Sequence, residues 1–154
     1  MVIPILFNLT VGLLIPWIIA IIFCRRTPLL FLTVAPFVAL LSITLNQIGM
    51  ALKFWTLYPE TNYLIFNSIN IDFGFNPAMA VLFTFIIYIK QWKRWIVYLG
   101  FLIFLTGSEK LAVIFNKVKY DDHWNIFYTF IAYLLGLILA DIYFHFLKKL
   151  TKEL

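Results

Sequence analysis

The sequence is poor in charge and in cysteine, and both shortages exclude classes of protein. Only 12% of the 154 residues are charged and 64% are hydrophobic, whereas soluble globular domains have about 25% charged residues. A soluble fold of this length could not bury so much apolar side chain, so a soluble globular domain is excluded. Cys24 is the single cysteine, which rules out an intramolecular disulfide.

Motifs for catalysis, cofactors and nucleic acids are also missing. The sequence contains no phosphate-binding glycine loop, nucleophile elbow, zinc-protease helix motif or nucleic-acid module. We therefore expect no catalytic residue, no cofactor and no nucleic-acid partner. The run Asp121-Asp122-His123 is interpreted as a solvated loop, because adjacent residues rarely bind one ion together, and no metal site is predicted.

Long apolar runs dominate the sequence. Runs long enough to cross a hydrocarbon core of about 30 Å as helices cover approximately residues 3–23, 29–52, 95–115 and 124–147, and a shorter run that we also interpret as a span covers 77–92. They predict one all-α domain, a transmembrane helix bundle of about five spans with the lipid bilayer as its partner. Polar residues interrupt segment 53–76 every few positions, so this segment is predicted to be an interfacial or re-entrant outer loop.

The positions of the basic residues indicate how the chain is oriented. One set of alternate span ends carries Arg25, Arg26, Lys90, Lys93, Arg94, Lys148, Lys149 and Lys152, whereas the other carries Lys53, Lys117 and Lys119. Because positively charged loops stay in the cytoplasm, we expect a multi-pass protein of the cell membrane with its N-terminus outside and its C-terminus inside. The apolar run of the third span is short, so a four-span arrangement stays open.

Polar residues collect in the outer halves of the predicted spans and suggest a ligand-binding cavity. Its candidate residues are Glu109, Lys110, Asn46, Gln47, Asp72, Asn76 and Trp124. Glu109 is the leading candidate, because a charge inside a span costs at least about 2.5–3.5 kcal/mol and needs a partner. The same residues could instead form a buried hydrogen-bond network that only fixes the helix register.

The last span carries two further patterns. Asp141 and His145 are four residues apart on one helix face and form a possible proton relay, or they anchor the inner helix end. Ala132, Gly136 and Ala140 repeat at four-residue spacing, which allows a neighbouring helix to approach closely. These three residues are the predicted contact with a second copy of the chain or with a partner membrane subunit.

The second half of the sequence resembles a known family. Trp92-Lys93-Arg94-Trp95, Glu109 and the segment Tyr120-Asp121-Asp122-His123-Trp124-Asn125-Ile126-Phe127-Tyr128-Thr129-Phe130 are similar to small, functionally uncharacterised polytopic membrane proteins of spore-forming Gram-positive bacteria (Firmicutes). The likeness covers about residues 76–147. It implies a bacterial cytoplasmic or spore membrane protein and adds weight to Glu109 and Trp124, but it implies no activity.

Three functions are compatible with these patterns. The leading hypothesis is a non-enzymatic membrane protein that binds or transports a small ligand or ion, or serves as an accessory component. The first alternative is a membrane-embedded enzyme acting on a lipid or isoprenoid substrate, with acid–base groups from Glu109, Asp121, Asp122 and His123. The second is a structural membrane assembly protein.

Overall fold

The computed structural model describes residues 6, 8–121 and 123–150. These residues form five helices and two short strands. In chain order they are α1 (Thr10–Cys24), α2 (Pro28–Ala51), β1 (Trp55–Leu57), α3 (Leu64–Tyr88), α4 (Arg94–Ile114), β2 (Val118–Tyr120) and α5 (Ile126–Leu150).

Four of these helices, α2 to α5, are long and apolar enough to cross a membrane. This confirms the prediction of a mostly helical chain with several helices of membrane-spanning length. Helix α1 is shorter. Leu6, Asn8 and Leu9 before it are also helical, and the predicted first span begins in residues 1–5, which lie outside the described part. Asp122, in the predicted solvated loop, also lies outside the described residues.

Local sequence explains several helix boundaries. Pro28 occupies the start of α2, where its missing N–H breaks no hydrogen bond. Asn125 precedes α5, and its side-chain oxygen accepts hydrogen bonds from the backbone N–H groups of Phe127 and Tyr128 at 2.9 and 3.3 Å. This satisfies two of the donors that a helix start leaves free.

The structure corrects the predicted loop over residues 53–76, because α3 begins at Leu64 and not at Pro77. Ser68, Asp72 and Asn76 are spaced four residues apart, which places them on one helix face. That face packs against α2, where Ser68 and Asp72 are fully buried. These polar residues therefore pair with protein groups inside a helix, and they do not mark a loop.

Two π-helical segments meet where α1 and α3 cross. One is the opening segment Thr10–Leu14, and the other is Ile71–Phe75 in the middle of α3. A methyl group at Gly74 would lie 2.5 Å from the Cα atom of Leu13 and closer still to the carbonyl oxygen of Gly12. Glycine is therefore required for the two backbones to approach this closely.

A proline in α3 leaves a backbone acceptor that α1 satisfies. Pro77 has no N–H to donate to the carbonyl of Phe73, four residues earlier. The indole Nε1–H of Trp17 in α1 donates to that carbonyl instead, at 2.7 Å. The predicted third span starts too late at residue 77, because Pro77 lies inside α3.

The two strands pair at one end of the bundle, which we call the sheet end. Strands β1 and β2 are antiparallel, with Trp55 opposite Tyr120 and Leu57 opposite Val118. Leu57 and Val118 are buried with Met50 at the end of α2. The opposite end, which carries Arg94, is called the basic end. The small sheet joins the α2–α3 connection to the α4–α5 connection.

Candidate ligand-binding cavity

A cavity of about 140 Å³ lies between helices α2, α3, α4 and α5 and extends to the sheet end. Most of its lining is apolar. The polar side chains on its wall are Ser42, Asn46, Asn76, Glu109, Thr129 and Tyr133. Trp55 of β1 and Trp124 before α5 also line it. An apolar cavity with a few convergent polar groups is the usual form of a small-molecule site.

One side of the cavity is backed by a hydrogen-bond network around Asp72. The Oδ1 atom of Asp72 accepts hydrogen bonds from the hydroxyl of Ser42 and the amide of Asn46, both at 2.6 Å. The amide of Asn76 donates to the Ser42 hydroxyl at 2.7 Å. Asp72 is fully buried behind the wall, so it fixes Ser42 and Asn46 in place on the cavity surface.

Glu109 of α4 forms the acidic point on the other side. Its Oε1 accepts a hydrogen bond from the Tyr120 hydroxyl at 3.2 Å, and its Oε2 accepts one from the Tyr133 hydroxyl at 3.1 Å. Tyr120 comes from β2 and Tyr133 from α5, so three elements converge on this carboxylate. Burial, with the nearby Glu109 adding to it, raises the pKa of the Tyr120 phenol, which keeps Tyr120 a neutral donor.

The hydrogen bonds beyond Tyr120 run in one direction. Each hydroxyl has a single proton to donate. Because Tyr120 uses its proton on Glu109, its oxygen accepts from the hydroxyl of Thr129, 3.0 Å away. The Thr129 oxygen in turn accepts from the indole N–H of Trp124 at 2.9 Å. Hydrogen bonds therefore lead from Trp124 through Thr129 and Tyr120 to Glu109, and they hold the carboxylate in a fixed orientation.

Aromatic rings form the wall at the sheet end. The rings of Trp55 and Trp124 have centroids 4.7 Å apart, and Phe54 stacks on Trp124 at 5.5 Å. Trp55 lies directly over Gly49 of α2, where a methyl group would stand 2.7 Å from the Cε2 atom of the indole. Gly49 thus makes the space that Trp55 occupies.

Five of the seven predicted cavity residues line or support the cavity, and two do not. Asn46, Asn76, Glu109 and Trp124 line the cavity, and Asp72 supports it from behind. Gln47 points elsewhere: its amide donates to the hydroxyl of Ser68 at 3.2 Å and joins α2 to α3. Lys110 is exposed and does not line the cavity. In the pairs Asn46–Gln47 and Glu109–Lys110, the two residues are adjacent on a helix and are separated by about 100° around its axis. When one residue of a pair faces the cavity, the other faces away.

Among the described residues, the hydrogen-bond partners of Asp141 come from other helices and do not include His145, which does not support the proton-relay interpretation. Asp141 accepts hydrogen bonds from Arg94 at 2.6 Å, Tyr88 at 2.6 Å and Tyr98 at 2.9 Å. These three donors, from α3 and α4, satisfy both carboxylate oxygens. His145 is exposed. The cluster ties α5 to α3 and α4 at the basic end, and it gives Asp141 an anchoring role.

The small-residue stripe of α5 faces the interior of the bundle. Ala132, Gly136 and Ala140 all line the cavity, and a methyl group at Gly136 would meet no heavy atom within 4 Å. No helix in the described part of the chain therefore uses this stripe for close packing at Gly136. Its small side chains instead leave the space that forms the cavity.

Comparisons with protein-family models, with curated proteins and with solved structures give no match for this chain. Within the described ranges, no group of three or more His, Cys, Asp or Glu side chains could hold a metal ion.

Sequence reasoning missed five residues of the site: Ser42, Trp55, Tyr120, Thr129 and Tyr133. A signal for two of them exists in α5. Thr129 and Tyr133 are four residues apart and continue the face of Gly136 and Ala140, so one polar and small stripe runs along the helix. The positions of Trp55 and Tyr120 depend on the pairing of two three-residue strands, which are too short to give a sequence pattern.

Proposed function

We propose that this chain is a non-enzymatic membrane protein that binds a small ligand in the cavity at the sheet end, as a binding protein, a transport component or an accessory subunit. The observation that carries the proposal is the cavity itself, which places Glu109, Asn46 and Asn76 on an otherwise largely apolar wall. A cavity of about 150 Å³ holds one benzene molecule. The expected ligand therefore has about six to eight non-hydrogen atoms.

The rigid support of the polar wall residues favours binding over a purely structural role. Glu109 is held by two phenols, and Asn46 is held by Asp72. Groups that are fixed before a ligand arrives lose little conformational entropy on binding. A network that served only to set the helix register would not need an open cavity beside it.

The catalytic alternative gains no support from the geometry. His123 is exposed and, like Asp121, does not line the cavity. Of the three acid–base candidates that the structure describes, Glu109, Asp121 and His123, only Glu109 reaches the cavity. A single carboxylate that accepts two hydrogen bonds can contact a ligand, but it does not by itself supply the two groups of a general acid–base pair.

We further propose that the protein lies in the bacterial cytoplasmic or spore membrane with five spans and with its basic end in the cytoplasm. Arg25, Arg26, Lys90, Lys93, Arg94, Lys148 and Lys149 lie at this end. The excess of positive charge there favours a cytoplasmic position. Helix α1 alone is about 22 Å long at 1.5 Å per residue, which is short for a span. The helical residues Leu6, Asn8 and Leu9 before Thr10 add to its length.

A thermal-shift experiment on the purified protein in detergent tests the binding function. Phenol, hexanol, benzylamine and hexanoate match the size of the cavity and differ in charge. We expect at least one of them to raise the unfolding temperature of the wild type. Gly136→Leu fills the cavity and should abolish that stabilisation, whereas Gly107→Leu, at an exposed glycine with free space around it, should keep it. If none of the four stabilises the protein, or Gly136→Leu responds like wild type, the proposal fails.

A further inference from the structure

The chemistry of the cavity wall points to the charge of the ligand, and this inference rests on the proposed binding function. Glu109 is the one acidic side chain on the described wall. Its two partners, Tyr120 and Tyr133, are neutral donors, and no described Lys, Arg or His side chain forms an ion pair with it. A carboxylate offers about four acceptor positions, so it retains capacity for a further donor.

The aromatic wall favours a positively charged ligand. Trp55 and Trp124 line the same cavity as Glu109. Tyr120 links them, since it pairs with Trp55 across the sheet and joins Trp124 to Glu109 through Thr129. Tryptophan is the best aromatic partner for a cation. Aromatic rings commonly recognise alkylated ammonium groups, and the Glu109 carboxylate would add the opposite charge.

The apolar character of the wall does not fit a site for Ca²⁺ or Mg²⁺. Ca²⁺ and Mg²⁺ require six or more oxygen ligands. Around Glu109 the cavity is lined mainly by Leu105, Ala132, Leu137 and similar side chains, which offer no oxygen. Alkyl groups on a nitrogen would pack favourably against the same surface.

We infer that the cavity binds a small organic ammonium ion, with its charged nitrogen near Glu109 and its alkyl groups against Trp55 and Trp124. Such a ligand would supply the positive charge that the carboxylate lacks. It would also bury apolar surface against the indole rings, so both halves of the wall would contact it.

Choline and its uncharged isostere 3,3-dimethylbutan-1-ol provide the test, because they have the same shape and differ in charge. Both are titrated into the full-length protein in detergent at constant ionic strength, and binding is followed by tryptophan fluorescence. We expect choline to bind at least tenfold more tightly than the isostere. Glu109→Gln should remove this preference, whereas Glu60→Gln, at an exposed carboxylate, should retain it.

A second variant keeps the inference testable if Glu109→Gln does not fold. Trp55→Leu should weaken choline binding several-fold and change binding of the isostere little. Equal affinities of the wild type for choline and its isostere would overturn the inference and leave the proposed binding function intact. If choline does not bind but phenol or hexanol stabilises the protein, the inference is likewise overturned and the proposed binding function stands. Stabilisation by none of these compounds would overturn both proposals.

Discussion

The close approach of α1 and α3 at Gly74 leads to a sharp prediction about stability. In Gly74→Ala the new methyl carbon would lie 2.5 Å from the Cα atom of Leu13, whereas carbon atoms in contact are normally about 3.5–4.0 Å apart. The two helix backbones would have to separate by about 1 Å. The Cα atom of Leu13 and the nearby carbonyl oxygen of Gly12 are both backbone atoms, so no side chain can rotate away to relieve the contact.

The size of the effect follows from comparison with a second glycine. Overpacking of this kind costs about 1–3 kcal/mol, and the backbone contact places Gly74→Ala near the upper end. Alanine also favours a helix over glycine by about 1 kcal/mol. In Gly107→Ala the methyl group has free space, so only the favourable contribution remains. The propensity contribution cancels between the two variants, which leaves a difference of about 2–3 kcal/mol.

Unfolding in mixed detergent micelles, followed by circular dichroism as the fraction of SDS rises, measures this difference. We expect Gly74→Ala to unfold at a lower SDS fraction than wild type and Gly107→Ala at an equal or higher one. If the two alanine variants unfold together, the close crossing of the π-helical segments is not a feature of the folded protein.

Two further predictions concern packing and the basic end. Gly49→Ala should displace Trp55 and destabilise the protein by about 1–3 kcal/mol, with a shift of the tryptophan emission maximum; Gly100→Ala, which has free space, is the control, and identical spectra would contradict the packing described. Asp141→Asn should cost about 1–2 kcal/mol in the same unfolding assay, below the cost of breaking a fully buried pair, because the side chain of Arg94 is 53% exposed and can be hydrated. No loss of stability would show that the ion pair does not hold α5.

Helix positions were predictable where the apolar runs are long. The predicted spans 29–52, 95–115 and 124–147 lie close to Pro28–Ala51, Arg94–Ile114 and Ile126–Leu150. The first half of α3 was not predictable in this way, because its polar residues face α2 and not water. The four-residue spacing of Ser68, Asp72 and Asn76 carried that information, but the composition of the segment favoured a loop.

Contacts between distant segments explain what the sequence could not show about the site. Sequence reasoning placed Asn46, Asn76, Glu109 and Trp124 among the candidates because they are polar or interfacial groups in the outer halves of spans. It ranked Glu109 first but could not exclude Lys110, since that depends on which face of α4 meets its neighbours.

The same limit applies at the basic end. Asp141 and His145 share a helix face, yet the partners of Asp141 come from Tyr88, Arg94 and Tyr98, which are between 43 and 53 residues away in the chain. A local spacing rule does not detect such partners, so it could not show that Asp141 joins α5 to α3 and α4.

The central claim, that the cavity binds a small ligand, is tested most directly by calorimetric titration of one stabilising compound into wild type and Gly136→Leu side by side. We predict one binding site per chain in the wild type and no measurable binding in the filled variant. Equal binding by both proteins would place the ligand outside the cavity and contradict the claim.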